Sequence, residues 1–114
     1  GDRTMATLCG WITDAAGDEP IEGVVIGAMG WGGDYGSEGI PDYDLIPKDA
    51  LLSWDEAQKY LRYEFSDGFG APGCNAITVW TATKVMAISQ YDGSTSLFWL
   101  PRHPINHTPE MPGG

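Results

Sequence analysis

Basic residues are scarce in this 114-residue chain: six Lys and Arg stand against sixteen Asp and Glu, for a net charge of −10 at pH 7. Gripping a nucleic-acid backbone needs cations that displace condensed counterions, so no direct nucleic-acid binding is expected. The same repulsion acts against anionic lipid surfaces. Long apolar runs are lacking too, since none approaches the roughly 18 residues of a membrane span. The N-terminus has neither the basic stretch nor the apolar run of a secretory signal. The expectation is a soluble protein with no membrane contact. Cysteine is nearly absent. Cys9 and Cys74 either close one long loop in an oxidising compartment or remain two free thiols, the commoner state for buried cysteines. The sequon Asn106-His107-Thr108 carries weight only in a secretory setting.

Signatures of chemistry are also missing. Cys74 and His103 lie in no recognised thiol-and-base motif. His103 and His107 have a helical metal-ligand spacing, but Pro104 between them works against a helix and no third ligand is near. Asp42 and Asp44, with Asp34, Glu38 and Asp49 close by, offer oxygens without the positional pattern of a calcium loop. Gly30-Trp31-Gly32-Gly33 lacks the Lys-Ser/Thr step of a phosphate-binding loop. The reading is of a chain that is not an enzyme, with no catalytic residue, no metal site and no cofactor.

What is present predicts a single small α+β domain, because 114 residues with 42% apolar content can bury one core and not two. Leu8 to Thr13 and Ile21 to Met29 are short, apolar and bounded by turn formers, and are expected as buried strands joined by the loop Asp14 to Pro20. Residues 30–49 mix glycines with Trp31, Tyr35, Tyr43 and acidic side chains and read as a long, acidic, Gly-rich surface loop. Ser53-Trp54-Asp55-Glu56 is a capping box opening a short α-helix, with Ala57, Tyr60, Leu61 and Glu64 on one stripe and an end near Tyr63 to Phe65. Ala76 to Thr81, Lys84 to Gln90 and Thr95 to Leu100 form an antiparallel meander, the second join carrying Asp92-Gly93. Both its faces are apolar, so one should meet the helix and the other the N-terminal strands or a partner. Four of the five tryptophans are expected in the core, with Trp31 the exception. Prolines 101, 104, 109 and 112 make residues 101–114 an extended tail.

The charge is unevenly spread. Residues 1–67 hold fourteen acidic and four basic side chains, hence −10, while residues 68–114 hold two of each and are neutral. One small protein therefore offers an acidic surface and a nearly uncharged aromatic one. At Gly68-Phe69-Gly70, Trp80-Thr81, Tyr91-Asp92-Gly93, Pro101-Arg102-His103-Pro104 and Met111-Pro112-Gly113-Gly114, the C-terminal half resembles small proteins of bacteriophages that infect actinobacteria. That group has no established activity, so the resemblance transfers no residue role. It implies a phage accessory protein working in the host bacterial cytoplasm. The expected function is non-enzymatic: Trp31, Asp34, Tyr35, Glu38, Asp42, Tyr43 and Asp44, backed by Asp49, Glu56 and Glu64, dock on a basic host-protein surface and inhibit it. Carboxylates can mimic phosphates there if that surface binds nucleic acid. The alternative is a structural or assembly protein of the phage particle that uses the apolar sheet face. The oligomeric state is left open.

Overall fold

The computed structural model describes residues 5–29, 46–66, 74–91, 94–109 and 111. The chain runs β1 (Met5–Thr7), α1 (Leu8–Ala16), β2 (Ile21–Met29), β3 (Leu51–Leu52), α2 (Trp54–Ala57), β4 (Glu64–Ser66), β5 (Asn75–Thr81), β6 (Lys84–Tyr91) and β7 (Ser94–Pro101). Five strands form one antiparallel sheet in the order β3-β2-β5-β6-β7, and β1 pairs with β4 in a separate ribbon. The fold is α+β, as the composition and the meander predict. It carries two short helices rather than one.

The second helix is a correction. Leu8 to Thr13 is the start of α1, not a strand, and the helix continues through the expected loop as far as Ala16. Its N-cap is Thr7, whose hydroxyl accepts from the Gly10 amide at 3.0 Å. Leu8, Ile12 and Ala16 then fall four residues apart on one buried stripe. Gly17 ends the helix at φ 61°, a conformation that costs glycine nothing. Burial of this stripe, rather than residue propensity, makes the segment helical.

Ser53 caps α2 as expected, its hydroxyl accepting from the Glu56 amide at 3.2 Å. The reciprocal half of the capping box is replaced. Glu56 instead accepts from Lys59 Nζ at 3.0 Å and from the Tyr60 hydroxyl at 3.4 Å. The helix tightens into a 3-10 turn over Gln58–Tyr60 and stops there, short of the expected end. Glu64 belongs to β4, where it pairs with Thr7. The main packing partner of α2 is β2, whereas α1 reaches the meander at β7.

One core joins these parts. Leu8 and Ile12 of α1, Ala57 and Leu61 around α2, and Phe65 of β4 meet Val24, Ile26, Ile77, Val79 and Met86 of the sheet. Trp11 sets its ring edge-on to Phe65, with centroids 5.1 Å apart. A buried polar knot locks β5 to its neighbours. The Tyr63 hydroxyl donates to Asn75 Oδ1 at 2.7 Å and accepts from the Asn75 amide at 2.8 Å, while Asn75 Nδ2 donates to the Gly27 carbonyl at 2.9 Å. Burial raises the Tyr63 phenol well above its ordinary pKa, so it stays a neutral donor.

Of the expected 30–49 loop, residues 30–45 lie outside the described residues. Its end is anchored. Ile46 is buried, Lys48 forms a parallel bridge to Ile26, and the Asp49 amide donates to the Ile26 carbonyl at 2.9 Å with Asp49 at φ 65°. Pro101 closes β7, and residues 102–109 follow as exposed chain without helix or strand.

Candidate protein-binding face

Side chains alternate across a strand, so the register sorts the sheet into two faces. Val24, Val79, Met86 and Trp99 stand in one cross-strand row, on the side of both helices. The opposite face carries two further rows. Gly23, Trp80, Val85 and Leu100 form one, and Leu51, Val25, Thr78, Ala87 and Phe98 the other. None of these nine residues belongs to the core or packs against it. Leu51 is 71% exposed and Leu100 46%, and Trp80, Val85 and Phe98 are only half-buried. The expectation is that the N-terminal strands or a partner meet this face; β2 instead joins the sheet edge to edge, and no described helix covers the face.

A hollow of about 270 Å³ interrupts the rows, lined by Glu22, Gly23, Leu51, Trp80 and Arg102. Its floor exists because residue 23 has no side chain: a Cβ there would sit 2.8 Å from Leu51 Cδ1. One rim is an ion pair, Arg102 Nη1 to Glu22 Oε1 at 2.6 Å, and the same nitrogen donates to the Thr81 carbonyl at 2.9 Å. The Arg102 amide also donates to the Thr83 carbonyl at 2.8 Å, which pins the chain leaving β7 beside the hollow. An apolar floor with a neutralised rim suits a protein side chain better than a charged ligand.

The expected binding residues Trp31, Asp34, Tyr35, Glu38, Asp42, Tyr43 and Asp44 lie outside the described residues. Of their expected supports, Asp49 and Glu64 are exposed and Glu56 is engaged by Lys59 and Tyr60. The described tryptophans correct the expectation of a buried set. Trp11 and Trp54 are half-buried against the core, whereas Trp80 lies on the open face and Trp99 is 47% exposed.

Cys9 and Cys74 are both free thiols. Cys74 is buried, which pushes its pKa up to about 12 and holds it protonated, while His103 is exposed. Burial also raises Cys9, against an opposing pull from Arg62, and its thiol donates to the Gln58 carbonyl at 3.6 Å. Among the described residues no three His, Cys, Asp or Glu side chains converge as a metal-holding group, and no helix is long and apolar enough to cross a membrane. No protein-family model, curated protein or solved structure matches this chain.

The signal for the open face was partly present in the sequence. Both faces of the meander alternate apolar residues, which shows a second apolar face without showing what covers it.

Proposed function

We propose that this chain is a non-enzymatic accessory protein that binds another protein, with the contact centred on the open face around Trp80, Val85, Phe98 and Leu100. The observation that carries the reading is a double row, mostly of apolar side chains, that no described element outside the sheet covers, on a sheet whose other face packs on the described core. An exposed apolar patch of this kind, rimmed by polar groups, is how protein contacts are usually marked. Charge selects the partner: a protein of −10 repels its own copies and nucleic acids and draws a basic protein surface by electrostatic steering. In a phage setting, which the C-terminal resemblance implies, the partner is a host protein or a component of the particle.

The charge asymmetry favours a second reading in which the acidic first half, including residues 31–44, makes the contact and blocks a nucleic-acid-binding surface. Salt separates the two. A photo-crosslinking residue at position 100 should capture a host or particle protein, and the capture should persist when ionic strength is raised tenfold. Capture that fails at position 100 but succeeds at position 34, and fades with salt, would transfer the contact to the acidic segment.

A further inference from the structure

Among the described residues β7 lies at one edge of the sheet and pairs only with β6. Edges of this length are normally blunted by charge, proline or a bulge, because their unpaired amides and carbonyls invite another strand. The run Ser94-Thr95-Ser96-Leu97-Phe98-Trp99-Leu100-Pro101 has no charge, and its proline comes only at the last position. It pairs with β6 in unbroken register over all eight residues, so no bulge turns it aside.

Beside this edge lies a shallow groove of about 460 Å³, lined by Trp11, Asp14 and Ala15 of α1 and by Thr95, Ser96 and Leu97 of β7. Thr95 and Leu97 fall on the helix-facing side of β7 with Ser96 between them, so the groove follows the strand alongside α1. The second wall is held in place. Lys84 Nζ donates to the Ala15 carbonyl at 2.8 Å near the C-terminal end of α1, and lies 5.0 Å from the centre of the Trp99 ring. Asp14 is exposed in the groove and has no ion pair or hydrogen bond among the described residues.

We propose that β7 and this groove accept an extended segment of a partner protein as an added strand. On its helix-facing side the segment carries an apolar residue against Trp11 and Leu97, and two residues away along it a Lys or Arg facing Asp14. Backbone pairing supplies the general grip and alternate side chains the selection. The occupant is a basic segment rather than a second copy, because pairing two β7 edges about a two-fold axis would bring both α1 carboxylates to one side, on chains that each carry −10. This site shares β7 with the open face but uses its backbone edge and helix-facing side, so it can fail while the open-face contact holds.

The probe is an acetylated, amidated octapeptide alternating threonine and valine, with one central valine replaced by lysine, titrated into the whole protein and followed by amide chemical shifts. Saturable shifts confined to α1 and β7 are expected. Asp14→Lys should weaken binding about tenfold by turning an attraction into a repulsion. Methylating alternate peptide amides on the pairing edge should abolish it. Two results would overturn the proposal: affinity unchanged by both alterations, or sedimentation showing that the protein dimerises and that the peptide dissociates the dimer, which would make a second copy the occupant.

Discussion

The two faces of the five-stranded sheet are similarly apolar and have opposite fates. Val24, Ile26, Ile77, Val79 and Met86 point at the helices and are almost completely excluded from water, while Val25, Trp80, Val85, Phe98 and Leu100, one residue out of phase, stay partly wet. Hydrophobicity alone did not assign these roles. Coverage did: α1 and α2 sit on one side, and no described element outside the sheet closes the other. The inner face therefore stabilises the fold, and the outer face stays partly wet among the described residues.

The sharpest way to break this comparison is to truncate one residue on each side. Ile26→Ala should cost about 3 kcal/mol, since a buried aliphatic is lost and a cavity left, whereas Val85→Ala should cost under about 1 kcal/mol because its site is already half in water. Denaturant unfolding measures both; equal losses would mean that the outer face is covered.

Next in size is the buried knot. Tyr63→Phe removes the hydroxyl that both donates to and accepts from Asn75, and should cost about 2 kcal/mol by stranding polar groups inside. The same unfolding curves report it.

A smaller effect comes from the helix cap. Ser53→Ala should cost about 1 kcal/mol through loss of the bond to the Glu56 amide. A variant as stable as the wild type would show that packing on β2, and not the cap, holds α2.

The pH response should be the mildest of the four. Glu19 accepts from Thr83 and Thr81, and these bonds hold its pKa below the ordinary 4.5. The carboxylate therefore stabilises the fold fully above pH 4.5, and the contribution fades as the pH falls through the lowered value. Glu19→Gln should accordingly melt lower than the wild type at pH 7 and show a smaller gap at pH 3. A gap that widens on acidification would reverse the sign.

Much of this architecture could be read locally, and the exceptions have physical causes. The Val24-Val25-Ile26 cluster marks β2 with its observed bounds, the alternation in 76–100 marks three strands to within a residue at their ends, and Ser53 marks its own cap. Helix α1 escapes a local reading because a six-residue window from Leu8 contains too little of the Leu8, Ile12, Ala16 repeat to reveal its period. Strand β4 was absorbed into the preceding helix, since Glu64–Ser66 becomes a strand only by pairing with Met5–Thr7, far away in sequence. The candidate site divides the same way. That a second apolar face exists is written in the alternation; that no described element outside the sheet covers it depends on β2 entering the sheet edge to edge, which no local pattern shows. The hollow at Gly23 needs Leu51 and Trp80 from other strands, so it too was invisible.

The central claim, that the outer face is a contact surface rather than a core, is tested most directly by the variant Leu51→Lys. Its melting temperature and its capture of the protein crosslinked through position 100 should be measured together. The account predicts a melting temperature close to the wild type and a loss of capture. A collapsed fold, or undiminished capture by a folded variant, would contradict it.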